Sequence, residues 1–153
     1  MKTRVLFVCT DNIGRSVVAE YCLKDFLDKN NIENWEVASA GINANSNITG
    51  FSMAHFEKMR EIGIDVSQHE RRQIDETIIK NTNLIIVFDK TQQDYILDTF
   101  RTKCLLFNEI CLNQNKDLKI SEFPGHDKDQ RMIQAFDYIC EAIPTVFEKI
   151  NNF

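Results

Sequence analysis

The stretch with the most chemistry in it is Cys9-Thr10-Asp11-Asn12-Ile13-Gly14-Arg15-Ser16. It sits between an apolar run, Arg4-Val5-Leu6-Phe7-Val8, and a segment with helical periodicity that starts at Ser16. A loop joining a strand end to a helix N-terminus turns backbone N–H groups inward and presents the positive end of the helix dipole. This is an anion cradle. That field and the neighbouring Arg15 favour the thiolate form of Cys9, the form that acts as a nucleophile. Arg15 offers a planar fork matched to two oxygens of a phosphate-like group. Ser16 can donate to the sulfur or cap the helix. Nucleophile, clamp and dipole on one short loop suit phosphoryl transfer through a phosphocysteine. Of the five cysteines, only Cys9 has an arginine six positions on and lies at a strand–helix junction.

The elements that would hold this loop alternate along the chain. After the first strand, Val17, Val18, Tyr21, Cys22, Leu23, Phe26 and Leu27 form a helical stripe that fades at Asn30-Asn31. Trp35 to Ser39 reads as a short strand stopping at Ala40-Gly41, and the polar stretch from Asn43 to Gly50 reads as a loop. A helix is predicted from about Phe51 to Ile62, ended by Gly63 as a left-handed cap. Asp75 to Lys80 reads as a short helix, and Leu84 to Phe88 as a buried strand. A helix around Lys90 to Phe100, a strand around Cys104 to Phe107, an irregular stretch to Lys128 and a last helix from about Gln130 to Ile150 complete the chain. Pro144 is expected to bend that last helix or weaken its final turns. Strands alternating with helices imply right-handed crossovers and a parallel sheet covered on both faces. In such folds the ligand sits at the carboxyl ends of the strands, where the loop after strand one lies.

At 153 residues, 43% of them hydrophobic and 27% charged, the chain fits one domain over 1–153 and rules out wholesale disorder. No apolar run approaches the ~20 residues of a membrane span, and no signal-peptide pattern opens the chain. A cytoplasmic protein is expected. A net charge of −5 without blocks of Lys or Arg argues against a nucleic-acid partner. The odd cysteine count without paired spacing reads as reduced thiols, several of them buried. Scattered histidines and unclustered cysteines argue against structural zinc, and no metal or cofactor is expected.

The segment Val8-Cys9-Thr10-Asp11-Asn12-Ile13-Gly14-Arg15-Ser16-Val17-Val18-Ala19-Glu20 resembles the signature loop of low-molecular-weight protein tyrosine phosphatases, V-C-x-G-N-x-C-R-S-P-x-A-E. The likeness continues through Ser39-Ala40-Gly41, Gly63-Ile64-Asp65, His69-Glu70-Arg71-Arg72-Gln73 and the strand Leu84 to Phe88 with Asp89 after it. The resemblance implies a four-stranded parallel sheet with helices on both faces. It also implies that Cys9 is the nucleophile, that Arg15 clamps the phosphate, and that Thr10, Asp11, Asn12, Ile13, Gly14 and Ser16 line it. Ser16 would stabilise the thiolate, and Asn12 would hold the loop with Ser39 and His69 behind it. An apolar residue at Ile13 goes with the tyrosine-specific members of the family, whereas threonine goes with arginine phosphatases. The implied partner is a phosphotyrosine protein or small aryl phosphate, with no membrane or nucleic acid.

Several positions depart from the family pattern. Asp11 stands where the family has glycine, placing a carboxylate near the anion and a Cβ where positive φ is expected. Gly14 stands where the family has its second loop cysteine, and Val17 replaces the usual proline. The acidic D-P motif is missing from Ser121-Glu122-Phe123-Pro124-Gly125-His126-Asp127-Lys128-Asp129, as is the aromatic pair that follows it. Glu122, His126, Asp127 and Asp129 are the available proton donors, and they also fit solvated loop and helix-end charges. Asp127, just past Gly125, is the best placed of them to act as the acid. Two other readings compete with a phosphatase. One is a catalytically weak module that recognises a phosphorylated partner. The other is a thioredoxin-coupled arsenate reductase, whose first resolving cysteine would follow the strand ending at Phe88, where none occurs.

Overall fold

A computed structural model describes residues 1–153. The strands β1 (Thr3–Cys9), β2 (Trp35–Gly41), β3 (Leu84–Val87) and β4 (Leu105–Leu106) form one parallel sheet in the order β2-β1-β3-β4. β1 is therefore central, flanked on both sides, and its residues Val5 to Cys9 are all at most 2% exposed. This is why β1 reads as an unbroken apolar run rather than an alternating one.

The period-two geometry of a strand sorts these residues onto two faces. Val5, Phe7 and Cys9 point into a core shared with helices α1 (Arg15–Lys29) and α6 (Lys128–Asn151), which contribute Val18, Leu23, Phe136 and Ile139. Leu6 and Val8 point into a smaller cluster with Ile85, Val87 and Leu106, covered by Ile96 of α4 (Lys90–Phe100). Both faces are covered, so the parallel sheet loses its apolar surface to water on neither side. The register pairs Cys9 with Gly41 and Val8 with Val87, which aligns the carboxyl ends of three strands at one rim.

The boundaries are set by local chemistry. Helix α2 (Ala54–Glu61) ends in a Schellman motif, in which Ile64 N–H bonds the Met59 carbonyl and Gly63 N–H the Arg60 carbonyl, with Gly63 at φ +85°. It begins at Ala54 rather than Phe51, and the Ser52 hydroxyl accepts from Ala54 N–H. Helix α3 (Glu76–Lys80) is capped by Asp75, and α4 by Asp89 with Gln92 in a capping box. The segment after β4 is not wholly irregular. It forms helix α5 (Phe107–Leu112) and a 3₁₀ turn, Ile120–Glu122. Pro144 lies inside α6 and deprives the Cys140 carbonyl of its helical donor, without ending the helix. No helix is long and apolar enough to cross a membrane.

The cysteines differ from the expectation of free thiols throughout. Cys22 on α1 and Cys140 on α6 form a disulfide with a Cα–Cα separation of 5.7 Å, while Cys9, Cys104 and Cys111 are free. Both partners lie on the packed faces of helices that cover the same side of the sheet, so the bond ties neighbours that packing already brings together. The bridge closes a loop of 118 residues. Reduction, or Cys140→Ser, is expected to lower unfolding free energy by about 2–4 kcal/mol through the freed unfolded chain. Chemical denaturation with and without dithiothreitol measures this, and the α1–α6 packing should keep the reduced protein folded.

Candidate active site

The turn from β1 into α1 is built around Asn12, which adopts the left-handed conformation with φ 53°. Asparagine tolerates this region better than most residues. Asp11, where glycine was expected for the same reason, does not carry the positive φ. Asn12 is fully buried, and its side-chain amide and its carbonyl are all bonded. Its Nδ2 donates to Ser16 Oγ at 3.0 Å and Ser39 Oγ at 2.9 Å, and its Oδ1 accepts from Arg72 N–H at 2.8 Å. His69 Nε2 donates to the Asn12 carbonyl at 3.0 Å. Asn12 thus joins the loop, β2 and the 69–72 segment.

The direction of these bonds follows from the end of the chain of donors. Glu20 on α1 is a carboxylate held by Lys24 at 2.5 Å, and it accepts the Ser39 hydroxyl, also at 2.5 Å. Ser39 has spent its proton there and can only accept from Asn12. Ser16 likewise accepts from Asn12, which frees its own proton for the sulfur of Cys9, 2.9 Å away. A hydroxyl fixed as a donor to sulfur stabilises negative charge on it.

Gly41 makes room for this turn. A Cβ there would stand 2.7 Å from the Thr10 carbonyl oxygen and 2.9 Å from Asn12 N, so a side chain would push the loop off its geometry. The backbone N–H groups of Asp11 through Ser16 make no hydrogen bond within the protein. They are donors available to an anion.

Arg15 opens α1 beside the cradle. Its Nη1 donates to Asp89 Oδ2 at 2.9 Å and to the Leu118 carbonyl at 2.8 Å. Both bonds use one nitrogen, leaving Nε and Nη2 for oxygens of a ligand. Asp89 is itself fixed as the cap of α4, with Gln92 reaching across to Thr10 Oγ1 at 3.2 Å. Asp11 accepts the Ser46 hydroxyl at 2.6 Å, and Arg71 holds both that serine and the Asp11 carbonyl.

A cavity of about 330 Å³ opens over Cys9, lined also by Asp11, Ile13, Gly14 and Arg15. Its outer wall comes from Phe51 and Ser52 in the loop before α2, and from Lys128, Arg131 and Met132 of α6. Thr10, Asn12, Ser16, Ser39 and His69 lie behind or beside the loop rather than in the cavity. Asp127 is not brought into it either. Its carboxylate caps α6, accepting Gln130 N–H at 2.8 Å, so the helix start has claimed the side chain that sequence reasoning offered as the acid. Asp129 instead accepts the Ser52 hydroxyl, and His126 lies exposed. Asp11 is the one carboxylate among the lining residues. A larger cleft of about 940 Å³ borders Arg4, Trp35 and Lys24 and contains no cysteine.

Sequence reasoning missed the cavity wall and two supports of the loop. Asp89 stands out in the sequence only as the residue that follows the strand Leu84 to Phe88, and nothing local marks it as the partner of Arg15. The other support, His55, is fully buried on α2, and its Nε2 donates to the Ile13 carbonyl at 2.6 Å. Its Nδ1 is buried without a partner.

Fold and loop together define an α/β protein with a cysteine and an arginine on one loop at the carboxyl ends of its strands. The family model for low molecular weight phosphotyrosine protein phosphatase matches residues 4–152, and the chain belongs to that family. A low molecular weight protein tyrosine phosphatase from T. tengcongensis superposes with TM-score 0.79 at 24% identity, covering 97% of this chain and 99% of that one. The YwlE arginine phosphatase of Geobacillus stearothermophilus gives TM-score 0.79 at 23% identity, over 98% and 94% of the two chains. An arsenate reductase of Staphylococcus aureus (strain bovine RF122 / ET3-1) is 41% identical over 85 residues, 56% of this chain and 59% of that protein. The match thus spans about three-fifths of the curated relative's length.

His55 makes the loop sensitive to acid. Burial pushes its imidazole down to about 4, against a smaller upward pull from the Ile13 carbonyl. Between pH 6.5 and 4 the unfolded chain therefore takes up a proton that the folded protein refuses, and stability falls as pH falls through that window. The expected loss is of order 3 kcal/mol by pH 4. Denaturation midpoints across the window measure it, and His55→Gln, which keeps a donor but does not titrate, should flatten the slope.

Proposed function

We propose that residues 1–153 act as one phosphatase domain that hydrolyses phosphate monoesters, phosphotyrosine or small aryl phosphates, through a phosphocysteine on Cys9. The observation that carries this reading is the Cys9 sulfur opening into a cavity that it shares with the guanidinium of Arg15 and the free N–H groups of the loop. The thiolate attacks phosphorus, the P–O bond to the leaving group breaks, and water then cleaves the P–S bond. Arg15 and the loop N–H groups hold the equatorial oxygens as charge shifts between the apical positions. The apolar faces of Ile13 and Phe51 suit an aryl group. Cytoplasmic residence belongs to the same proposal, and there the Cys22–Cys140 bond would meet a reducing thiol pool.

The arsenate reductase reading has its support in the sequence similarity to such enzymes. It needs further cysteines within reach of Cys9. Cys104 is buried in the cluster on the opposite face of the sheet from Cys9, its thiol pushed up to about 12 by burial and by Glu109 and Asp94. Cys111 sits on α5 against Tyr138 and Asn108. Neither lines the cavity, so the phosphatase reading is the stronger.

Cys9→Ser and Arg15→Lys are each expected to lower phosphatase turnover by orders of magnitude with the fold intact. One removes the covalent acceptor, the other the planar fork that lysine cannot reproduce. Turnover of p-nitrophenyl phosphate checks both, and a wild type without turnover would favour the phosphate-binding module instead.

The leaving-group proton is a separate question. We assign it to Asp11, which lines the cavity and accepts the Ser46 hydroxyl through Oδ1 alone, leaving Oδ2 to carry the proton, in preference to Asp127, which does not line it. A general acid is typically worth ~10²–10⁴-fold, most for poor leaving groups. Asp11→Asn should therefore slow phosphotyrosine far more than p-nitrophenyl phosphate, steepening the dependence of rate on leaving-group basicity. Asp127→Asn should leave that slope unchanged, and a steeper slope for it would return the role to Asp127.

A further inference from the structure

Two cations at the mouth of the Cys9 cavity have no carboxylate partner. Lys128 and Arg131, on the first turn of α6, both line it, and neither takes part in an ion pair. Each makes one bond to backbone: Lys128 Nζ to the Gly50 carbonyl at 2.7 Å, and Arg131 Nη1 to the Gly125 carbonyl at 3.1 Å. Two ammonium protons and most of the guanidinium fork are left over. The helix gains nothing from these charges, since cations at an amino-terminal turn oppose its dipole. They also stand out in a chain of net charge −5. The one carboxylate in the cavity, Asp11, is tied to the Ser46 hydroxyl at 2.6 Å, and Ser46 in turn is held by Arg71.

We propose that Lys128 and Arg131 form a second anion subsite beside the phosphate cradle, which selects phosphotyrosine flanked by acidic residues. The inference rests on the phosphate-ester reading and adds to it a substrate class. A phosphate seated on the loop leaves its peptide at the mouth, where a neighbouring Asp or Glu side chain meets the ammonium and the guanidinium. Lys128 would use donors left over from Gly50, and Arg131 its free edge. Both groups are near solvent, so the gain per charge is modest and screened by salt.

The test measures binding of three phosphotyrosine peptides, with acidic, neutral and basic flanks, to the full chain carrying Cys9→Ser. The acidic peptide should bind about 3- to 10-fold more tightly than the neutral one at low salt, and the margin should shrink as salt rises. Lys128→Gln with Arg131→Gln should abolish the margin, and Lys128→Arg with Arg131→Lys should keep it, which separates lost charge from a damaged helix. Equal affinities for acidic and neutral peptides, a margin that survives the double glutamine variant, or binding of no peptide would each overturn the subsite. Turnover of p-nitrophenyl phosphate by the wild type is measured alongside. A protein that prefers acidic peptides but does not turn over the ester keeps the subsite and loses the phosphatase reading.

Discussion

The site depends on one residue held in a conformation that most residues avoid. A loop can turn a run of N–H groups toward a common centre only if the backbone reverses sharply within it, and here Asn12 makes that reversal at φ 53°. The strain is offset by bonds from every side of the residue. Two serines take its amide protons, Arg72 N–H takes its amide oxygen, and His69 takes its carbonyl. Those partners come from α1, from β2 and from the segment that crosses the end of β2, where Gly41 N–H bonds the Arg72 carbonyl and Ile74 N–H the Gly41 carbonyl. The β1–β2 register, Cys9 opposite Gly41, therefore does more than pair two strands. It brings Ser39 under the loop and leaves space above Gly41 for the loop to lie in.

Much of this was legible in the sequence, because it is written in local patterns. The buried central strand, the polar loop before α2, the Gly63 cap and the Cys9–Ser16 cradle each follow from residues close together in the chain. What was not legible arises where distant segments converge. Phe51 from one loop and Lys128 and Arg131 from the last helix meet over Cys9, and no spacing along the chain announces that meeting. Asp127 shows the opposite difficulty. An acid near a flexible stretch fits two jobs, catalysis and capping, and the helix start uses it for the second. Helix α5 is hidden for a different reason: at Phe107–Leu112 it is too short to show a full amphipathic period, and it follows β4 directly. The Cys22–Cys140 bond joins two helices far apart in sequence, so only their packing reveals it.

Arg15 shows how the fold allocates bonding capacity. A guanidinium with no protein partner would sweep a wide volume, and one with every N–H satisfied could not hold a ligand. Asp89 and the Leu118 carbonyl take one nitrogen only, fixing the plane of the fork and leaving its working edge open. Because Asp89 caps α4 and Leu118 N–H is bonded to the Phe88 carbonyl, the orientation of Arg15 is anchored to the end of β3. The clamp is thus set by the sheet and not by the loop on which it sits. That arrangement fixes the Arg15 side chain from the sheet, whereas the outer wall of the cavity is drawn from a loop and a helix start.

Gly14 carries a consequence for how the protein ages under oxidants. A sulfenic acid formed on Cys9 is rescued most readily when a second thiol lies beside it to close a disulfide. The loop has a hydrogen atom in place of a side chain at Gly14, Cys22 is already bonded to Cys140, and Cys104 and Cys111 face other parts of the core. Peroxide that reaches the sulfur therefore meets no internal thiol on the way to the sulfinic acid, and rescue as a disulfide would have to come from a thiol outside the protein. The same residue leaves room for one: a Cβ at Gly14 would have only ordinary contacts, 3.5 Å from Ile120 Cδ1 and 3.9 Å from Met132. A second thiol beside Cys9 is thus missing from the loop although the packing would accommodate one.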